Sequence, residues 1–376
     1  MARSRIQPLQ IIPLLLLLLL LGAGCLNACS QKQSSHLDNP KSNQDKLLVQ
    51  QLKILGYDKY FDIPAPIQFQ GEVPGWDSYR CPEENCRCIN GNETFLMVRQ
   101  GTEPNKTVFW MAGGGACWPG RDDCTKEPIF YQSYIELGLG SKNDQNPVRD
   151  WNIVYLPYCD GSLHLGDNNL DIDGDGLTDQ YFWGLKNTSA AVNLTRILFP
   201  GTQQILISGC SAGGAGTIGA APLLRLAFPE ADLHVLNISG PGLIPSNGEM
   251  EYSLAMQSWG INWLLPPDCP LCKDQFIYLY DWLLDRDDQL KVGFFSSYQD
   301  VSARTLWDLS PEDYQNLILD TTSKIKTSHP KTFQRFMVKG EIHCATDYSY
   351  PIKGISFWDW ITWMLEDDPR WVDLLE

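Results

Sequence analysis

Positive charge is scarce in this chain of 376 residues, which holds 29 Lys and Arg against 45 Asp and Glu for a formal net charge of −16. Nucleic acid and anionic membrane surfaces need a positive face, so the charge argues against both as partners. A densely anionic polymer is an uncomfortable substrate for the same reason. Histidine is scarce too, with five in the chain, so few groups are available as a base near neutral pH. There is no internal repeat. The Ile/Leu-rich run from Ile11 to Leu21 is too short to span a bilayer. Arg3 and Arg5 precede it, and together they read as the n- and h-regions of an export signal.

The expected organisation is a signal segment over 1–29, a flexible polar tether over 30–50, and one globular domain over 51–376. The stretch Leu26-Asn27-Ala28-Cys29-Ser30 resembles a bacterial lipobox, which makes Cys29 a candidate for lipidation and membrane anchoring; simple cleavage nearby is the alternative. Ten cysteines remain beyond the signal, and an exported chain of that kind holds disulfides. Cys86-Arg87-Cys88 and Cys269-Pro270-Leu271-Cys272 each lack a second pair at finger spacing, which sets zinc aside. Asn92, Asn105, Asn187, Asn193 and Asn237 begin N-x-Ser/Thr sequons, and Asn237 lies in a strand-like run that makes it the poorest acceptor.

Apolar runs at Thr107–Met111, Asn152–Pro157, Gln204–Ser208, Leu233–Ile238, Lys291–Ser296 and Phe333–Val338 show little polar alternation, as strands buried on both faces do. Helical stretches at Ser189–Leu198 and Gly216–Phe228 fall between them. The alternation predicts an α/β fold with a mostly parallel sheet flanked by helices. The Trp-, Tyr- and Leu-rich stretch Met250–Asp288 predicts a helical insertion forming a lid or wall over the site, or else ordinary packing helices.

Gly209-Cys210-Ser211-Ala212-Gly213 follows the predicted strand Gln204–Ser208 and opens a small-residue helix. That is the strand–turn–helix context in which a G-x-S-x-G serine is a nucleophile. No Gly-Lys-Ser/Thr follows, which removes the phosphate-loop reading. A serine hydroxyl needs a base, and in this arrangement the acid and then the histidine come later in the chain. His234 lies inside the next strand, and His329 lies in a polar loop before Pro330. His343 follows the run ending at Val338, where a loop can deliver its imidazole to Ser211. Asp300, just past the strand Lys291–Ser296, is the candidate acid, with Asp308 and Asp320 as fallbacks. Its role would be to accept the Nδ1 proton and hold the tautomer. The oxyanion donors are expected from the backbone of Ala212 and of Gly115 and Ala116, in the glycine loop after the strand ending at Met111.

Four stretches, Gly113-Gly114-Gly115-Ala116-Cys117, Pro157-Tyr158-Cys159-Asp160-Gly161, Ser208-Gly209-Cys210-Ser211-Ala212-Gly213-Gly214 and His343-Cys344, resemble the pectin acetylesterase and Notum family of carboxylesterases. The resemblance implies an α/β-hydrolase fold, and carried over by position it implies the triad Ser211, Asp300 and His343. It also implies a bond between Cys88 and Cys159. Cys117 is expected to pair with Cys124, and the neighbours Cys81–Cys86 and Cys269–Cys272 with each other. The family's glycine run is usually followed by tryptophan, where this chain has Ala116; Trp118 is the candidate replacement as a wall of the acyl site.

Asp171, Asp173, Asp175, the Leu177 carbonyl and Asp179 fall where a calcium loop places its oxygens, with Gly176 at the turn. Phe182 stands where the bidentate glutamate would be, and an Asp-Gly hairpin turn is the competing reading. Catalysis itself needs no cofactor. The expectation is a monomeric, exported serine carboxylesterase that removes O-acyl groups, acetyl foremost, from an extracellular carbohydrate such as pectin. A lipase- or thioesterase-like hydrolase of longer acyl esters and a catalytically silent glycan-binding surface protein are the alternatives.

Overall fold

The computed structural model describes residues 43–376, apart from 62–63, 65, 72, 131, 244–248, 262–263 and 346–347. The signal segment, Cys29 and the tether up to residue 42 lie outside the described residues. The tether was expected to reach residue 50, but helix α1 (Asn43–Ile54) already begins at Asn43. The reason is apolar spacing: Leu48 and Leu52, four apart on one face, are almost fully buried.

The strands are β1 (Ile67–Phe69), β2 (Asp77–Arg80), β3 (Phe95–Arg99), β4 (Glu103–Met111), β5 (Gly115–Trp118), β6 (Arg121–Cys124), β7 (Trp151–Leu156), β8 (Asn168–Leu170), β9 (Gln180–Phe182), β10 (Gln204–Cys210), β11 (Asp232–Ile238), β12 (Leu290–Ser297), β13 (Phe333–Val338), β14 (Pro351–Ile352), β15 (Ile355–Ser356) and β16 (Leu374–Leu375). Ten of them form one sheet in the order β1-β2-β3-β7-β4-β10-β11-β12-β13-β16. From β7 to β16 every pairing is parallel; β1, β2 and β3 add an antiparallel edge.

After α1 the helices are α2 (Gln132–Leu137), α3 (Gly184–Leu198), α4 (Ala212–Ala227), α5 (Glu249–Trp259), α6 (Tyr278–Leu284), α7 (Val301–Thr305), α8 (Pro311–Ser328) and α9 (Phe357–Leu365). Two apolar clusters cover the two faces of the sheet: α3, α4, α6 and α8 contribute to one, and α2 and α9 to the other. That two-sided cover is why the central strands read as unbroken apolar runs. Helix α4 starts at Ala212 rather than Gly216, because it begins directly after the turn at Ser211.

All ten cysteines beyond the signal are paired. The four expected bonds form: Cys81–Cys86, Cys88–Cys159, Cys117–Cys124 and Cys269–Cys272. A fifth, Cys210–Cys344, was not anticipated. Among the sequons, Asn187, Asn193 and Asn237 are buried, and Asn92 is exposed. No helix among the described residues is long and apolar enough to cross a membrane.

Candidate active site

The parallel strands deliver their carboxyl ends to one edge, and crevices at such ends are where open α/β sheets bind ligands. Strand β4 ends at Met111 and runs into the glycine loop. Strand β10 ends at Cys210 and turns at once into α4, which places Ser211 at φ +59°. A side chain disfavours that backbone region, so the turn persists only because its surroundings hold it. The Ser211 N–H donates to the Ile238 carbonyl (2.9 Å), and its own carbonyl accepts from Ala215 N–H (3.0 Å).

Asp300 follows β12 and His343 follows β13, and the structure brings these two together. Nδ1 of His343 lies 2.8 Å from Oδ1 and 3.0 Å from Oδ2 of Asp300. A carboxylate only accepts, so Nδ1 carries the proton and Nε2 keeps its lone pair. Asp300 is fully buried and also caps α7 by accepting from Ala303 N–H (3.0 Å). His343 and Ser211 line one cavity of about 650 Å³. The fallback acids lie elsewhere: Asp308 is exposed, and Asp320 pairs with Lys324 on α8. The rejected histidines are occupied as well. His234 is buried in β11, where burial and then Lys291 hold its pKa down to about 3, and His329 pairs with Asp281 (3.0 Å).

Of the expected oxyanion donors, Ala212 and Gly115 line the cavity and Ala116 does not. Ala116 sits in β5, paired with Asp123 of β6 and fully buried, so the hairpin turns it away from the cavity. Gly113 and Gly114 line the cavity in its place. A Cβ on Gly113 would lie 2.6 Å from the Cys210 carbonyl oxygen and 2.9 Å from Ser211 Cβ, so the loop can pass this close to Ser211 only as glycine. As the first residue of α4, Ala212 has an N–H that the helix's own ladder does not use.

Trp118 is likewise not a wall of the cavity. It is buried behind it, stacked on Trp307 (centroids 5.5 Å, 19°) and edge-on to Trp259 (6.0 Å, 74°). Trp259 and Trp307 supply the wall. Trp259 closes α5, in the stretch read as a lid or wall, and Tyr252, Met256, Ile261 and Phe276 of that stretch also line the cavity.

Sequence reasoning assigned no role to Tyr158, Asp160 and His164. The Tyr158 hydroxyl donates to the Gly115 carbonyl (2.8 Å) and accepts from Leu163 N–H (3.1 Å). Nε2 of His164 donates to the Ala112 carbonyl (2.8 Å). Both ends of the glycine loop are therefore pinned by buried side chains. Burial lowers the His164 pKa, although Asp160 lies 3.7 Å from Nδ1 and pulls the other way. The motif Pro157-Tyr158-Cys159-Asp160-Gly161 is a visible signal for the first two residues; His164 precedes Ser211 in the chain, and the serine–acid–histidine order does not point to it.

In the calcium-like loop, which links β8 to β9, side-chain oxygens of Asp171, Asp173 and Asp179 lie within 4.8 Å of one another. Asp175 is not part of that cluster and accepts from Leu177 N–H (2.8 Å) instead. Asp171 accepts from Gly174 and Gly176 N–H, and Asp179 from Ile172 N–H, so the loop also closes as an Asp-Gly hairpin.

The sequence model of the pectinacetylesterase family matches residues 80–257, the span that holds the glycine loop and the Ser211 turn. Two crystal structures of the Wnt deacylase Notum from Drosophila share the fold. One has a TM-score of 0.56 at 14% identity, covering 83% of this chain and 96% of that one. The other has a TM-score of 0.53 at 16% identity, covering 84% and 96%. The chain is thus similar to the pectinacetylesterase family over residues 80–257 and to Notum in fold, and the two likenesses indicate a carboxylic ester hydrolase.

Proposed function

We propose that the protein is an exported, monomeric serine esterase in which Ser211, His343 and Asp300 remove an O-acyl group through an acyl-enzyme. The observation that carries this reading is that Ser211 and His343 line one cavity, with His343 held from behind by the buried Asp300. Nε2 of His343 takes the Ser211 proton as Oγ attacks the ester carbonyl, and returns it to the leaving alcohol. Backbone N–H groups of Ala212 and of the Gly113–Gly115 loop meet the charge on the carbonyl oxygen. Water then attacks the acyl-enzyme, with His343 again as base. Ser211→Ala is expected to lower kcat by about 10⁴–10⁶ in a protein that remains folded.

The apolar lining of the cavity supports a reading in which the acyl chain is longer than acetyl. Its volume of about 650 Å³ and its wall of Leu163, Leu165, Met256, Ile261, Phe276 and Trp259 exceed what two carbons can fill. Each buried methylene contributes about 0.8 kcal/mol, so such a wall rewards length. The second reading, acetyl esters of an extracellular carbohydrate, rests on the pectinacetylesterase match; the net charge of −16 weighs against pectin itself. The deciding measurement is kcat/KM for p-nitrophenyl acetate, butyrate and octanoate. A rise toward octanoate supports the long-chain reading, and a fall from acetate onward rejects it.

A further inference from the structure

The bond between Cys210 and Cys344 joins the residue before Ser211 to the residue after His343. It spans 134 residues with Cα atoms 5.8 Å apart, within the usual range for a bridge. Both cysteines line the cavity. None of the other four bridges joins two of the strand ends that carry Ser211, Asp300 and His343.

The chain from the end of β13 to Cys344 has no regular secondary structure, and backbone N–H groups of Tyr298, Gln299 and Val301 donate to the carbonyls of Val338, Gly340 and Glu341 along its first part. Its anchors are individual. Ser297 Oγ donates to the Ile342 carbonyl (2.7 Å), which ties the loop to β12. Cys344 N–H donates to Ser239 Oγ (3.1 Å), which ties it to the turn after β11. The disulfide ties it to β10, the strand that carries the nucleophile. Three non-glycine residues with left-handed backbone meet at this point: Ser211 (φ +59°), Ser239 (φ +53°) and Cys344 (φ +64°). Such conformations persist only where the surroundings over-determine them. Hydrogen bonds to β12 and β11 orient the loop against the acid side of the site; the disulfide adds a covalent link to the residue beside Ser211.

We propose that the Cys210–Cys344 disulfide is a positioning element of the reaction, holding the His343 imidazole within proton-transfer reach of Ser211. The proposal rests on the esterase reading above. A bridge that served only stability would move Tm and leave turnover alone. A positioning bridge acts on kcat, because a displacement of about 1 Å between reacting groups costs up to about 100-fold in rate.

The test is the Cys210→Ala/Cys344→Ala double variant of the full chain, measured beside Ser211→Ala on the best p-nitrophenyl ester, with Tm and far-UV circular dichroism. The expected result is a folded protein whose kcat falls about 10- to 100-fold while KM stays within about threefold. A kcat within about threefold of the natural protein, or a loss confined to KM, overturns the proposal. If Ser211→Ala keeps its turnover, the esterase reading fails and the proposal with it; if Ser211→Ala is inactive and the double variant fully active, only the positioning role fails. Should the double variant not fold, the natural protein is opened with dithiothreitol instead. Each bridge then becomes two thiols as one dithiol becomes its cyclic disulfide. Aliquots are assayed with EDTA present, because Cys210, Cys344 and His343 offer ligand atoms within 4.8 Å of one another once reduced. Parallel aliquots are mapped for alkylated cysteines. Turnover lost when Cys210 and Cys344 become reactive, and regained on reoxidation, supports the proposal; turnover unchanged at that stage overturns it.

Discussion

Asp300 holds His343 with both carboxylate oxygens, at 2.8 and 3.0 Å from Nδ1, and with one of them it also caps helix α7. One buried side chain thus orients a proposed catalytic base and starts a helix. The two duties separate by substitution. Asp300→Asn keeps an oxygen that can cap but loses the charge that favours the imidazolium, so kcat is expected to fall by about 10⁴ with little change in Tm. Asp300→Ala is expected to lose the activity and about 1 kcal/mol of stability besides, read by urea unfolding. Equal activity in Asp300→Asn and the natural protein would remove Asp300 from the triad.

Tyr158 supports the glycine loop from behind through the Gly115 carbonyl. Tyr158→Phe keeps the ring and removes that bond together with the one from Leu163 N–H. Stability is expected to fall by about 1–3 kcal/mol, because buried carbonyl and amide groups are left without a partner. If the loop presents oxyanion donors, kcat falls about tenfold or more with KM little changed, since the interaction strengthens only as charge develops. A variant with lowered Tm and natural kcat would confine Tyr158 to a structural duty.

Acid should weaken the fold through His234. Burial, with Lys291 beside it, lowers its pKa to about 3, whereas an unfolded histidine titrates near about 6.5. The unfolded chain therefore binds the proton first as pH falls. The stability is fully present above about pH 6.5 and is lost from there down to about pH 3, at about 1.4 kcal/mol per unit. Urea unfolding at pH 7 and pH 5 is expected to differ by about 2 kcal/mol less in His234→Gln than in the natural protein. An identical difference in both would show that His234 is not the titrating group.

The loop from Asp171 to Asp179 is proposed as a structural calcium site held by Asp171, Asp173 and Asp179. It contributes no group to the cavity. Calcium is expected to raise Tm, EDTA to reverse the rise, and kcat to stay constant through both. No shift in Tm at millimolar calcium would leave the segment as an Asp-Gly hairpin held by its own backbone amides.

Local pattern determined much of this molecule. The central strands read directly because burial on both faces removes the polar alternation, and the Ser211 turn read directly because its glycines, its strand and its helix are contiguous. Asp300 and His343 followed from their places after strands, since a parallel sheet sends every strand end to the same edge. What contiguity cannot encode was left to the tertiary structure. Trp118 is close to the glycine loop in sequence, yet the β5–β6 hairpin folds it behind Trp259 and Trp307. The same hairpin carries Ala116 away from the cavity that the glycine loop lines. Cys210 and Cys344 lie 134 residues apart and meet only because β10 and β13 end on one side of the sheet. The size of the cavity depends on how α5 packs against β5 and β8 and α6 against α4, a packing outcome shared among many side chains. Hydrophobic periodicity specifies which face of an element is buried; which distant partner that face meets is decided by the whole fold.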